Sequence, residues 1–110
     1  LQMKIAIIGG AGFIGVNLYF FLKKKKYDLK VIDNLTIKTN HKFIHKKDFI
    51  KCDIRNYNKL KNKIKNFDIV VNLAGQTGVI ESNRKPNYCI EQNIIGFSTL
   101  MLFYYLQYAF

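Results

Sequence analysis

Residues 5–15 read Ile-Ala-Ile-Ile-Gly-Gly-Ala-Gly-Phe-Ile-Gly, an apolar run that ends in a glycine-rich turn and opens an apolar stretch of helical period. A buried parallel strand, a tight turn whose glycines let the backbone approach a pyrophosphate, and a helix aiming its positive N-terminal end at that phosphate make up a dinucleotide-binding βαβ unit. Gly9, Gly12 and Gly15 are spaced G-x-x-G-x-x-G, and Gly10, Gly12 and Gly15 give the overlapping G-x-G-x-x-G. Glycine clusters more often mark ordinary turns. Here a strand precedes, a helical pattern follows, and an acidic residue ends the next strand.

That acidic residue is Asp33, which closes the apolar run Leu29, Val31, Ile32 and stands 21 positions after Gly12. A carboxylate at this point accepts hydrogen bonds from the adenosine ribose hydroxyls and repels a 2′-phosphate, which favours NAD over NADP. Lys38, a few residues on, softens that preference. The alternative is a turn aspartate in Asp33-Asn34, common after strands.

A chain of 110 residues is one domain at most, and its 49% hydrophobic content is enough for a core. It has no apolar run of about 18 residues and no signal-peptide pattern, so we expect a soluble, cytoplasmic protein with no membrane partner. Cys52 and Cys89 fit two reduced thiols better than a disulfide framework, and His41 and His45 have no clustered partner ligands, so no metal is expected. The net charge of +11 raises the question of nucleic acid. The basic residues are spread over Lys23–Lys26, Lys42–Lys51 and Lys59–Lys65, and only Arg55 and Arg84 are arginine. Bidentate recognition of phosphate or guanine is therefore poorly served, no nucleic-acid motif accompanies the charge, and it reads as solvated surface.

Strands are expected at Met3–Ile8, Leu29–Asp33, Phe49–Cys52 and Asp68–Leu73. Helices are expected at Gly12–Lys25 (with Phe13, Ile14, Leu18, Phe21 and Leu22 at helical spacing), at Tyr57–Ile64, and from Pro86 to the end (with Tyr88, Ile94, Ile95, Leu100 and Leu102 available for burial). Residues 34–47 read as a loop with room for a short helical turn. The alternation implies an α/β, Rossmann-type parallel sheet with right-handed crossovers, of strand order 3-2-1-4, with a nucleotide at the carboxyl ends of strands 1 and 4. Such a sheet normally continues past its fourth strand, so residues 1–110 read as the front part of a larger NAD-binding domain.

Five blocks in order resemble the N-terminal part of an extended short-chain dehydrogenase/reductase of the NAD-dependent epimerase/dehydratase family, acting on nucleotide sugars. Gly9-Gly10-Ala11-Gly12-Phe13-Ile14-Gly15 is similar to the family's glycine motif, with Ile8 in place of the usual threonine. Val31-Ile32-Asp33-Asn34-Leu35 resembles its ribose-binding strand end, and Cys52-Asp53-Ile54-Arg55 its adenine-side motif, where the resemblance implies that Asp53 takes the adenine amino group. Asn72-Leu73-Ala74-Gly75-Gln76 resembles the strand that lines the cofactor near the nicotinamide. Pro86 to Gly96, with Pro86-x-Tyr88 and then Asn93-x-x-Gly96, resembles the start of the long helix whose asparagine helps organise the active site. The stretch from Ala74 to Pro86 looks like that of sugar-nucleotide 4-epimerases, where a loop runs beside the sugar, which makes Ser82 a substrate-side candidate; an N-cap or turn serine is an equal reading.

The resemblance implies a tyrosine acid/base with a lysine four residues later, and a serine or threonine, all beyond the fourth strand. Two Tyr-x-x-x-Lys matches occur, Tyr19/Lys23 and Tyr57/Lys61, both in helices that should not reach the chemistry, and neither is taken as catalytic. Three readings remain: the NAD-binding portion of a nucleotide-sugar epimerase or dehydratase, able to form a homodimer through its last helix; an inactive dinucleotide-binding module used for sensing or scaffolding; and a basic nucleic-acid-associated protein.

Overall fold

The computed structural model describes residues 2–36, 40–75 and 79–108. Lys38 and the Gln76-Thr77-Gly78 stretch lie outside the described residues. Four strands, β1 (Lys4–Ile8), β2 (Asp28–Asp33), β3 (Phe49–Lys51) and β4 (Ile69–Asn72), form one sheet in the order β3-β2-β1-β4, with every pairing parallel. Ile8 stands beside Ile32 on one side and Asn72 on the other, so the carboxyl ends of the three strands finish together.

β1 is apolar without alternation because both faces of the sheet are covered. Ala6, Ile8 and Ile32 pack with Ile54, Leu60, Ile64, Leu100 and Phe103 on one face. Ile5, Ile7, Leu29 and Val31 pack with Val16, Tyr19 and Ile44 on the other. The first of these layers is built by α2 (Tyr57–Ile64) and α5 (Gly96–Tyr108), the second by α1 (Phe13–Lys24). Asn56 starts α2 by accepting a hydrogen bond from the Lys59 amide. Within residues 40–48 the chain makes two short 3₁₀ turns, His41–Phe43 and Lys46–Asp48.

Three features differ from the sequence expectation. The buried face of α1 is Gly15, Val16 and Tyr19, while Phe13, Ile14 and Phe21 are 78%, 68% and 58% exposed. A Cβ on Gly15 would overlap the backbone of Gly10, so the helix seats itself through that glycine and turns its larger apolar residues away from the sheet. Residues 79–84 form a short helix, α3 (Val79–Arg84), where a loop is expected; Glu81 in its first turn and Arg84 in its last suit the helix dipole. The long C-terminal helix runs from Pro86 as expected but is not regular. α4 (Pro86–Ile90), with proline in its first turn, passes into a π-helical segment (Glu91–Ile95) before α5. Along this stretch Gln92, Thr99, Leu100 and Phe103 are buried and Ile94, Ile95 and Leu102 are exposed.

Among the described residues no helix is long and apolar enough to cross a membrane. Cys52 is buried and Cys89 half-buried, and among the described residues no disulfide joins them.

Candidate functional site

A cavity of about 420 Å³ opens at the carboxyl ends of β1, β2 and β4. Its floor is the turn between β1 and α1. Gly9 has φ +73°, and a Cβ there would lie 2.6–2.8 Å from the backbone of Leu73 and Ala74, so the turn can pass this close to the end of β4 only with glycine. Gly9, Gly12, Phe13, Ile14 and Gly15 border the cavity from this turn, and Leu73, Ala74 and Gly75 border it from beyond β4.

Asp33 enters from the end of β2. Its Oδ2 accepts a hydrogen bond from the Ala11 amide (3.1 Å) and its Oδ1 one from the Leu35 amide (2.8 Å). Two backbone donors thus fix the carboxylate beside the glycine turn, and each oxygen keeps a lone pair for a ligand hydroxyl. Ile32, Cys52 and Ile54 form an apolar wall next to it. Burial, together with the charge of Asp53, pushes the Cys52 thiol up, so it stays protonated and acts as an apolar wall group.

A ring of polar side chains surrounds this end of the cavity. Arg55 holds Asp53 through Nε (3.0 Å) and Nη2 (2.8 Å) and reaches Glu91 through Nη1 (2.5 Å). Asn34 Nδ2 donates to the same Asp53 carboxylate at 3.4 Å. Hydrogen bonds from Arg55 outweigh burial and hold the Asp53 carboxyl down at about 2. The Thr36 hydroxyl donates to Asn34 Oδ1 (2.9 Å) and lies 2.9 Å from the Tyr88 hydroxyl. Since a hydroxyl has one proton, Tyr88 is the donor to Thr36.

Of the residues singled out from the sequence, Gly9, Gly12, Phe13, Ile14, Gly15, Asp33, Asn34, Ile54, Leu73, Ala74 and Gly75 meet at this cavity. Asp53, Asn93 and Ser82 are not in its wall. Asp53 is turned into the Arg55 pair. Asn93 is exposed, with Nδ2 3.4 Å from Cys89 Sγ and Oδ1 2.9 Å from where a Cβ on Gly75 would sit. Ser82 lies inside α3, neither an N-cap nor a turn serine. Thr36, Tyr88 and Gln92 border the cavity without having been singled out as site residues. Gln92 is 5% exposed, and among the described residues its Nε2 has no hydrogen-bond partner. Its signal was available: Gln92, Gly96, Thr99 and Phe103 share one helical face, so an amide there is aimed inward with the core.

The two Tyr-x-x-x-Lys pairs are elsewhere. The Tyr19 hydroxyl (2.7 Å) and Lys23 Nζ (2.6 Å) both donate to Asp48 Oδ2, which ties α1 to the second 3₁₀ turn on the far face of the sheet. Burial would push the Asp48 carboxyl up, but the hydrogen bonds from Lys23 and Tyr19 more than reverse this and leave it below the ordinary range. Lys61 Nζ lies 5.4 Å from the ring centre of Tyr57, away from the cavity. Among the described residues no group of His, Cys, Asp or Glu is placed to hold a metal.

The arrangement offers backbone amides at a helix start for a diphosphate, a fixed carboxylate for vicinal hydroxyls and an apolar slot for a base. Comparison with known proteins gives it a context. The sequence model described as the NAD dependent epimerase/dehydratase family matches residues 5–104. The chain is 35% identical over 94 residues to a putative UDP-glucose 4-epimerase of Methanocaldococcus jannaschii, a match covering 84% of this chain and 30% of that protein. It is 35% identical over 107 residues to CDP-paratose 2-epimerase of Salmonella typhi, covering 90% and 32%. In structure it is similar to UDP-glucose 4-epimerase from Brucella ovis in complex with NAD, with a TM-score of 0.84 and 26% identity over 96% of this chain and 33% of that one. The chain therefore spans about a third of the length of these relatives.

Proposed function

The chain belongs to the NAD-dependent epimerase/dehydratase family, and from that premise we propose that it binds NAD in the cavity above β1, β2 and β4, as part of an enzyme acting on a nucleotide sugar. The observation that carries the reading is the Asp33 carboxylate, fixed by the Ala11 and Leu35 amides beside a glycine turn that no side chain could replace at Gly9. The cavity fits the cofactor in its chemistry as well. A backbone cradle stands at the start of α1, and the Gln92 amide, buried with its Nε2 unpaired among the described residues, offers a donor to a bound polar group.

In this reading Gly9, Gly12 and Gly15 bring the backbone to the pyrophosphate, Asp33 accepts from the adenosine ribose hydroxyls, and Ile54 and Cys52 hold the base. Leu73, Ala74 and Gly75 border the half of the cofactor that carries the nicotinamide. When bound, NAD supplies the capacity to take a hydride from a sugar carbon and return it. Proton transfer is not assigned to Tyr19 or Tyr57, since the first is committed to Asp48 and neither borders the cavity. Phe13 and Ile14, exposed at the mouth of the cavity, shield the diphosphate from water.

Calorimetric titration of the purified protein with NAD and NADP tests the proposal, with Asp33→Arg as the control. NAD is expected to bind more tightly than NADP, and the substitution should weaken NAD and narrow the difference. A folded protein that binds neither nucleotide would refute the reading.

A further inference from the structure

Tyr88 is anchored at both ends, and nothing in the nucleotide chemistry proposed above requires that. It borders the cavity, its hydroxyl donates to Thr36 across 52 positions of sequence, and the Arg55 guanidinium sits 5.3 Å from its ring centre. Neither anchor is itself loose. Thr36 is held by Asn34 through both its amide and its hydroxyl, and Arg55 is held by Asp53 and Glu91. The ring's immobilisation is therefore supplied by three separate parts of the chain: the segment after β2, the segment after β3 and the π-helical segment. An aromatic ring fixed in this way beside a cavity otherwise walled by Ile32, Cys52 and Ile54 makes a flat, preorganised surface at the end where Asp33 stands.

We propose that Tyr88 is a stacking wall for the adenine base, and that Thr36 and Arg55 are positioning residues that hold its ring. The proposal rests on the dinucleotide reading of the cavity. It explains why Asp53, expected to take the adenine amino group, is instead turned into the Arg55 pair: it acts on the base indirectly, by fixing the guanidinium that backs Tyr88. A π-face selects for a base without reading its edge, so the wall should serve adenosine nucleotides as a class.

Calorimetric titration of the purified protein with NAD and separately with AMP separates this role from general disruption of the fold. Tyr88→Phe keeps the ring and its contact with Arg55, and should weaken both ligands by no more than about tenfold, the loss of one hydroxyl hydrogen bond. Thr36→Val deletes the same bond and should match it, with no further loss in the double variant. Tyr88→Leu keeps apolar volume but removes the π-face, and should bind both ligands a further five- to hundredfold more weakly than Tyr88→Phe. Equal binding by the Leu and Phe variants, or a loss for NAD that AMP does not share, would overturn the stacking role while leaving the dinucleotide site intact. A folded wild-type protein that binds neither ligand would refute the site itself, and the wall with it.

Discussion

Gly9 and Gly12 lie three residues apart in the same turn, and the structure assigns them different duties that one pair of substitutions separates. In Gly9→Ala the new methyl would stand 2.6 Å from Ala74 N, 2.7 Å from the Leu73 carbonyl carbon and 2.8 Å from Ala74 Cα. All three are backbone atoms, so no side chain can rotate aside. The φ of +73° adds about 1–2 kcal/mol for any residue with a Cβ. Relief requires the ends of β1 and β4 to separate, a form of overpacking that costs about 1–3 kcal/mol. The sum, about 2–5 kcal/mol, is a large share of the roughly 5–15 kcal/mol of a domain this size. In Gly12→Ala the methyl meets only the Gly9 carbonyl oxygen, at 3.7 Å, and φ is −76°. Its cost is about 1 kcal/mol or less, the preference of an N-cap for glycine over alanine. Gly12 borders the cavity, however, so the methyl occupies space meant for the diphosphate. Urea unfolding followed by far-UV circular dichroism should give a midpoint about 1–2 M lower for Gly9→Ala and nearly unchanged for Gly12→Ala. Calorimetry should show Gly12→Ala binding NAD at least tenfold more weakly. Equal stability of Gly9→Ala and the wild type would refute the reasoning, as would a loss in Gly12→Ala as large as in Gly9→Ala.

The Asp53–Arg55 pair should give the fold an acid limb. The folded-state value of about 2 lies below the ordinary 3.8, so the carboxylate stabilises above pH 4, and this stability is lost as pH falls toward 2. At 1.36 kcal/mol per unit the interval amounts to about 2 kcal/mol before discounting for partial exposure; Arg55→Met should flatten the limb in denaturant titrations between pH 2 and 5. Tyr19→Phe removes one donor from the buried Asp48, so it should lower stability by about 1–3 kcal/mol while leaving NAD affinity unchanged in the same calorimetric assay. Gly96→Ala should destabilise by about 1–3 kcal/mol despite alanine's helix propensity, because its methyl would lie 2.5 Å from Ile54 Cγ2. Pairing it with Ile54→Ala, which removes Cγ2, should cost less than the sum of the two single changes in thermal unfolding, and additive costs would count against the contact.

The strand order, the helix positions and most of the cavity wall were legible because each follows from local rules. A two-sided apolar run can only be a covered strand, and glycines at positions 9, 12 and 15 meet a carboxylate on the neighbouring strand once that strand is parallel. The misses share a different origin. Apolar spacing on α1 made Phe13, Ile14 and Phe21 candidates for the core, but the close seat of Gly15 on Gly10 decided which face turns inward, and a sequence does not display that contact. α3 is too short, and too rich in residues indifferent to helix, for its period to register. Asn93 was singled out through the family resemblance and not through the pattern of burial; Gln92, one position before it, is the residue buried in the cavity wall, and Asn93 is exposed.

The Tyr-x-x-x-Lys matches show why spacing alone has so little content. At i and i+4 on a helix, any such pair brings a hydroxyl and an ammonium to the same face. At Tyr19 and Lys23 that face meets a buried carboxylate, and the pair becomes a three-way tether between α1 and the turn at Lys46–Asp48. Burial and hydrogen bonding to Asp48 both raise the Tyr19 phenol, so this environment opposes the ionisation an acid/base tyrosine needs. The same spacing becomes catalytic only where the ammonium stands without a carboxylate and the phenol faces a ligand. That distinction is electrostatic, and it depends on which element faces the carboxyl ends of the sheet.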